Sequence, residues 1–132
     1  MRVSSRNSYA AANDTRPFEE QRFLGYDDDS GHDTLKHYFD NWAPADRVVM
    51  RSNMTQTLLE GVRAGLGCAV LPCFAGERDG VLRRVSVPEE MMPMTLWLVY
   101  HEDLRRSPRL RAAVDLVDTM IETNKSALDP AT

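Results

Sequence analysis

The chain has 132 residues, 42% of them hydrophobic and 27% charged, with a formal net charge of −4. That length suits one domain, able to bury roughly 65–70% of its unfolded surface, in proportions ordinary for a globular protein in water. The acidic balance excludes a nucleic-acid surface as the main function, and no apolar run nears the ~20 residues of a bilayer-spanning helix.

Residues 1–20 are weakly patterned, contain Pro17, and read as a lead-in with a helical turn around Tyr9 to Ala12. Met1 to Thr15 is rich in Ser, Asn and Ala and has no apolar core of signal-peptide type, so a cytoplasmic location is expected. Arg22 to Tyr26 is a short strand that runs into the polar loop Asp27-Asp28-Asp29-Ser30-Gly31. Leu35, Tyr38, Phe39 and Trp42 follow at i, i+3, i+4 and i+7, one face of a helix that Pro44 stops. Arg47 to Arg51 is a second strand, centred on Val48, Val49 and Met50. Asn53, followed by Gln56, resembles a capping box. It opens a helix over Thr55 to Ala64 with Leu58, Leu59 and Val62 facing inward.

The run Gly65-Leu66-Gly67-Cys68-Ala69-Val70-Leu71-Pro72 is the most informative stretch. Its glycines let the chain leave the helix through a left-handed turn. Cys68 to Leu71 is apolar on both faces, as a strand inside a parallel sheet is, and Pro72 ends its ladder. The order strand, helix, strand, helix, strand is a βαβαβ unit with right-handed crossovers. A buried central strand of this kind delivers its C-terminal end to a ligand crevice.

Beyond it, Phe74 to Gly80 is a short helix or turn, and Val81 to Val87 an edge-like extended segment ending at Pro88. Met91, Met92 and Pro93 make an irregular connection. Thr95 to Tyr100 is the most β-prone stretch of the chain. Ser107 and Pro108 supply a cap and first-turn proline for a closing helix, with Leu110, Ala113, Val114, Val117, Met120 and Ile121 along one face. Asn124 to Thr132 reads as a frayed tail.

Most candidate chemistry dissolves on inspection. Gly65-x-Gly67 follows a helix and precedes a strand, the reverse of the dinucleotide fingerprint. Asp27-Asp28-Asp29 fails as a calcium loop, because His32 and Tyr38 stand where Gly and Glu belong, and the acids read as solvated caps. His32, His37 and His101 lack ligand spacing, and no nucleophile–base pair or metal set is expected. Cys68 and Cys73 read as one buried and one free thiol; a redox pair would need a lowered thiol pKa. Arg105, Arg106, Arg109 and Arg111 beside Glu102 and Asp103 read as a solvated helix entrance, with phosphate or acid binding as the rival. What remains is the edge formed by two helix N-termini, where Ser30 and Gly31 precede one helix and Ser52, Asn53 and Thr55 the next. Free N–H groups and two positive dipole ends there suit a small carboxylate, unless these residues only cap their own helices.

The order of elements resembles the C-terminal effector-binding region of LysR-type transcriptional regulators, over roughly Tyr9 to Ile121. The sharpest parts are Leu58 to Pro72 and Leu96-Trp97-Leu98-Val99-Tyr100 with Ser107-Pro108-Arg109-Leu110-Arg111. The resemblance implies an α/β fold like type II periplasmic binding proteins, in which two lobes grip a small effector. Residues 21–93 then correspond to the second lobe and 94–122 to the strand and helix returning to the first, with 1–20 a lead-in and 123–132 a tail. The winged helix-turn-helix and most of the first lobe have no counterpart here, so a truncated fragment is expected. Effector contacts carry over onto Ser52, Asn53 and Thr55, then onto Leu71 and Pro72, then onto Ser30 and Gly31.

The expected function is therefore a non-enzymatic sensor of a small organic acid or aromatic carboxylate. It needs no cofactor or metal, makes no nucleic-acid or membrane contact of its own, and forms a homo-oligomer. Closure of the two lobes on the effector would alter subunit packing in a full regulator and so its grip on DNA. Two rivals stay open: a dimerisation fragment exposing Trp97, Leu98 and Val114, and a solute-binding protein of related fold.

Overall fold

In the computed structural model, which describes residues 2–31, 33–85 and 93–128, with backbone alone at 2–7, 30, 33–35, 38, 42, 93 and 94, the organising element is the strand Cys68–Pro72. Numbered in chain order, the strands are β1 (Arg2–Ala11), β2 (Phe23–Tyr26), β3 (Val48–Ser52), β4 (Cys68–Pro72), β5 (Leu82–Arg84) and β6 (Pro93–Thr95). The helices are α1 (Asp33–Trp42), α2 (Thr55–Arg63), α3 (Cys73–Gly76), α4 (Pro108–Thr123) and α5 (Lys125–Leu128).

All five residues of β4 are buried, as its continuous apolar run requires. On one edge it pairs parallel with β2 through Phe23↔Cys68 and Leu24↔Ala69, and β2 pairs parallel with β3 through Tyr26↔Ser52. The three-stranded βαβαβ unit expected from the sequence is thus present. On the other edge β4 pairs antiparallel with β1, in register Arg6↔Pro72 to Tyr9↔Ala69, and β5 completes the order β3-β2-β4-β1-β5. The sheet is therefore mixed around a parallel core.

The N-terminal segment departs from its sequence reading: residues 2–11 form the longest strand, with no helical turn at Tyr9 to Ala12. Its pattern is weak because Ser8, Tyr9, Ala10 and Ala11 are all buried, so no alternation of polar and apolar marks the strand. Alanine and serine have little intrinsic preference for strands, and pairing with β4 decides their conformation. The close approach falls on α3, where an added Cβ on Gly76 would overlap the Tyr9 ring.

Helix α2 buries Leu58, Leu59 and Val62 against the sheet. It ends in a Schellman motif: Leu66 N–H donates to Gly61 O (3.1 Å) and Gly65 N–H to Val62 O (2.9 Å), with Gly65 at φ +76. Gly67 serves a different need. Its Cα passes so near β2 that an added Cβ would press on the Arg22 carbonyl, the oxygen that accepts Cys68 N–H at 2.8 Å. Of the apolar face expected on α1, Phe39 is buried against Phe23 with ring centroids 6.3 Å apart; Leu35, Tyr38 and Trp42 lie outside the described side chains.

Other boundaries move for physical reasons. The expected Asn53–Gln56 capping box does not form. Ser52 Oγ instead accepts Met54 N–H (3.1 Å), Met54 becomes the cap residue, and Gln56 reaches Glu60 (2.9 Å) one turn on. Pro93 belongs to β6 rather than an irregular connection, while Met91, Met92, Val87 and Pro88 lie outside the described residues. The β-prone stretch stops pairing after Thr95, and Leu96 to Tyr100 is exposed, because among the described residues no neighbouring strand is offered to it. Ser107 caps α4 through Leu110 N–H (3.5 Å) and Pro108 occupies its first turn as expected, yet no residue of α4 is fully buried. The expected frayed tail contains a further turn of helix, α5.

Substituting Gly67→Ala should lower stability to urea by about 1–3 kcal/mol, because a backbone carbonyl cannot rotate away. Gly80→Ala, with nothing near its Cβ position, should stay within about 0.5 kcal/mol of the parent. Equal effects at the two glycines would mean that the Gly67–Arg22 approach is not real.

Candidate functional site at the parallel strand ends

The C-terminal ends of β2, β3 and β4 lie side by side. Tyr26 is opposite Ser52, and Asp27 N–H continues that ladder by donating to Ser52 O at 3.2 Å. The Tyr26 side chain is buried, and its hydroxyl shares a hydrogen bond with Thr55 Oγ1 at 2.9 Å, tying the end of β2 to the first residue of α2. Arg51 locks the same corner from behind: Nη1 donates to Tyr26 O (2.9 Å), Nη2 to Asp40 Oδ1 (2.9 Å), and the guanidinium lies 6.0 Å from the Phe39 ring centre. Burial acts to raise the Asp40 carboxyl, but hydrogen bonds from Lys36 and Arg51 outweigh it and hold the group below its ordinary range. The carboxylate is thereby kept charged to orient Arg51.

The first i→i−4 bond of α2 runs from Leu58 N to Met54 O at 3.3 Å. The N–H groups of Thr55, Gln56 and Thr57 precede it and sit at the positive end of the helix dipole. Ser52 is half-buried, Asn53 is exposed, and the Asn53 side chain makes no hydrogen bond with described residues. Ser52, Asn53 and Thr55 therefore stand together around the helix start. Leu71 and Pro72 lie in the adjacent strand but are buried in the ladder with β1, so they bring backbone rather than side chains to the rim.

Ser30 and Gly31 stand further off. Asp27 accepts Asp29 N–H (3.2 Å) and caps a 3-10 turn over Asp28–Ser30, after which Gly31 takes φ +66 before α1. Gly31 makes no hydrogen bond to Ser52, Asn53 or Thr55, and the Ser30 side chain is outside the description. Reading the sequence alone missed Tyr26, Arg51 and Met54. Met54 is 58% exposed between Asn53 and Thr55, an apolar group at the mouth of a polar rim. The available signal was the position of Tyr26 and Arg51 at strand ends immediately before the two loops.

Register also shows what rises from this rim. Since β1 is antiparallel to β4, its first residues run past the C-terminal end of β4, where Arg2 to Ser5 pair with β6 instead. A two-stranded ribbon thus leaves the sheet at the edge that carries Ser52 and Thr55.

Elsewhere the chemistry is quiet. Among the described residues no group of three His, Cys, Asp or Glu is placed to hold a metal. His37 and His101 are exposed, as are Arg105, Arg106, Arg109 and Arg111; His32 lies outside the described residues. Neither Cys68 nor Cys73 is in a disulfide, as expected, and Cys73 is buried along with Cys68. Burial pushes the Cys68 thiol up to about 12.

The family model of the LysR substrate-binding domain matches residues 3–121, and the chain belongs to that family. Domains of this family are parts of transcriptional regulators, not enzymes. Among solved structures it is similar to the regulatory domain of HypT from Salmonella typhimurium. The apo form shares 21% identity over 86% of this chain and 65% of that one, with a TM-score of 0.58. The bromide-bound form shares 22% over 70% and 50%, with a TM-score of 0.55. Full-length HypT, described as a hypochlorite-specific LysR-type transcriptional regulator, shares 17% over 90% and 44%, with a TM-score of 0.54. At these identities the likeness shows the fold alone, that of periplasmic binding proteins; the chain spans half of the bromide-bound domain's length. No curated protein sequence matches the chain.

The buried thiol gives a pH dependence of definite sign. Below its ordinary value of 9.0, Cys68 keeps its proton in both folded and unfolded chains. Between about pH 9 and 12 the unfolded chain ionises first, so stability falls as pH rises. Cys68→Ala should reduce the loss of unfolding free energy between about pH 9 and 11 by an amount on the order of a few kcal/mol, read from urea melts. An unchanged slope would show that Cys68 is not held protonated by burial.

Proposed function

We propose that the chain is the effector-binding part of a LysR-type regulator and takes a small organic carboxylate at the strand-end rim. The observation that carries this reading is the corner where Tyr26 fixes Thr55 and Ser52 turns the chain into α2. It leaves the first three backbone N–H groups of α2 without an intrahelical partner, next to the exposed Asn53. The carboxylate meets the α2 N-terminus, Ser52, Asn53 and Thr55. The backbone at Leu71 and Pro72 lines the floor, and Ser30 and Gly31 form the outer flank.

In this reading residues 21–93 make up the lobe that carries the rim, completed by β1 from the segment 1–20, which is more than a lead-in; 94–122 return to the opposite lobe and 123–132 are a tail. The β1–β6 ribbon is placed to transmit closure around the ligand. The chain works in the cytoplasm, without a cofactor, and makes no DNA contact of its own, in keeping with its net charge of −4. No described helix is long and apolar enough to cross a membrane.

Calorimetric titration with a panel of aliphatic and aromatic carboxylates, each beside its neutral amide, tests the reading. A carboxylate should bind where its amide does not, and Asn53→Ala should weaken it by about tenfold, the scale of one hydrogen bond to a charged group. Carboxylates and amides binding alike, or indifference to Asn53→Ala, would sink it.

Self-association is a second reading, favoured by Trp97, Leu98 and Val99 at 80%, 52% and 84% exposure; Val114 is half-buried. Sedimentation at micromolar concentration should show a dimer or larger species, and a stable monomer would refute it.

A further inference from the structure

A cavity of about 500 Å³ lies away from the strand-end rim, between α3, α4 and α5. It is an open groove lined by Phe74, Leu96, Val117, Met120, Ile121 and Leu128, and its volume falls within the ~300–1,000 Å³ of small-molecule sites. Its polar lining comes from Arg78 and Asn124.

Those two residues are held in a fixed relation. Asn124 follows α4; its Nδ2 donates to Met120 O at 2.8 Å and its backbone N–H reaches Met120 O and Ile121 O at 3.1 Å. That turns Oδ1 toward Arg78, whose Nη2 donates to it at 3.0 Å. One of the guanidinium's donors is so engaged, and among the described residues no carboxylate pairs with Arg78. Arg63 and Arg84, by contrast, are matched by Asp79 and Glu77. What sets Arg78 apart is its place, at the edge of an apolar groove and oriented there by Asn124.

We infer that this groove is a second ligand site, for a monoanion with an apolar body such as a medium-chain carboxylate. The carboxylate pairs with Arg78, in the planar geometry that a guanidinium favours. The chain of the ligand lies against Phe74, Val117 and Leu128, with the flexible Met120 fitting its shape. A single cation and an otherwise apolar wall disfavour sugars and polyanions. Occupancy joins α4 to α3, giving a helix without a fully buried residue a packed partner. The site does not rest on the strand-end reading.

Decanoate, with decanol as its uncharged counterpart, is the probe, titrated calorimetrically into the full chain. Decanoate should bind saturably and more weakly as salt is raised. Arg78→Gln should weaken decanoate about three- to fivefold, the scale of a solvent-screened charge pair, and leave decanol unchanged. Ala127→Trp, which fills the groove, should abolish the Arg78-dependent component of uptake, and Asn53→Ala at the strand-end rim should leave that component intact. Because Arg78 is exposed, its variant keeps the test sound even if Ala127→Trp does not fold. Decanoate binding that ignores Arg78→Gln, or that is lost with Asn53→Ala, would overturn the assignment. So would a dimer that Ala127→Trp dissociates while the parent takes up no decanoate, since a second copy would then occupy the groove.

Discussion

Strand β4 has a partner on each edge and no solvent on either face, and the rest of the molecule is arranged around that condition. A fully enclosed strand leaves no backbone donor or acceptor to water, so both neighbours must be in register with it. Pairing with β2 sets the parallel half of the sheet, and pairing with β1 sets the antiparallel half. Because β4 is only five residues long, β1 outlasts it, and the surplus becomes the ribbon with β6. The left-handed Gly65 and the close-packed Gly67 exist to bring the chain from α2 into this slot with no intervening loop.

The same arrangement explains which parts of the fold were legible in the sequence. The segments β2, α2 and β4 bury large apolar residues, Phe39 of α1 is buried, and Val48 and Met50 of β3 pack partly buried against the core, so their periodicity shows in the sequence. The strand β1 was invisible because Ser8, Tyr9, Ala10 and Ala11 are all buried, so no polar–apolar alternation marks it, and small residues such as Ser and Ala carry little strand preference. Leu96 to Tyr100 failed in the opposite sense: local preference is strong, but a strand needs a partner, and preference alone does not extend β6 beyond Thr95. At the candidate site, Ser52, Asn53 and Thr55 were legible as polar residues before a helix. Their geometry was not, since the cap depends on Ser52 Oγ reaching Met54 and on Tyr26, which is 29 residues away in sequence from Thr55.

The proposed rim and groove would recognise charge by different means. At the strand ends the positive potential comes from backbone N–H groups, while Arg51, the nearby cation, is spent on Asp40 and Tyr26 O. A backbone site has fixed geometry and discriminates by shape as well as by charge. In the groove the charge is one side chain at the end of an apolar surface, which tolerates variety in the body of its ligand.

The pairing of β1 with β4 has a consequence for how the chain reaches its fold. Arg6 and Pro72 are neighbours across a ladder although 66 positions separate them in the chain. Closing so long a loop is entropically slow, whereas the βαβαβ unit between them is built from nearer contacts. Contact order thus favours early formation of that unit, and a chain in which β1 had not yet docked would leave one edge of β4 bare, an unpaired row of N–H and C=O groups on an apolar strand, open to pairing with another molecule.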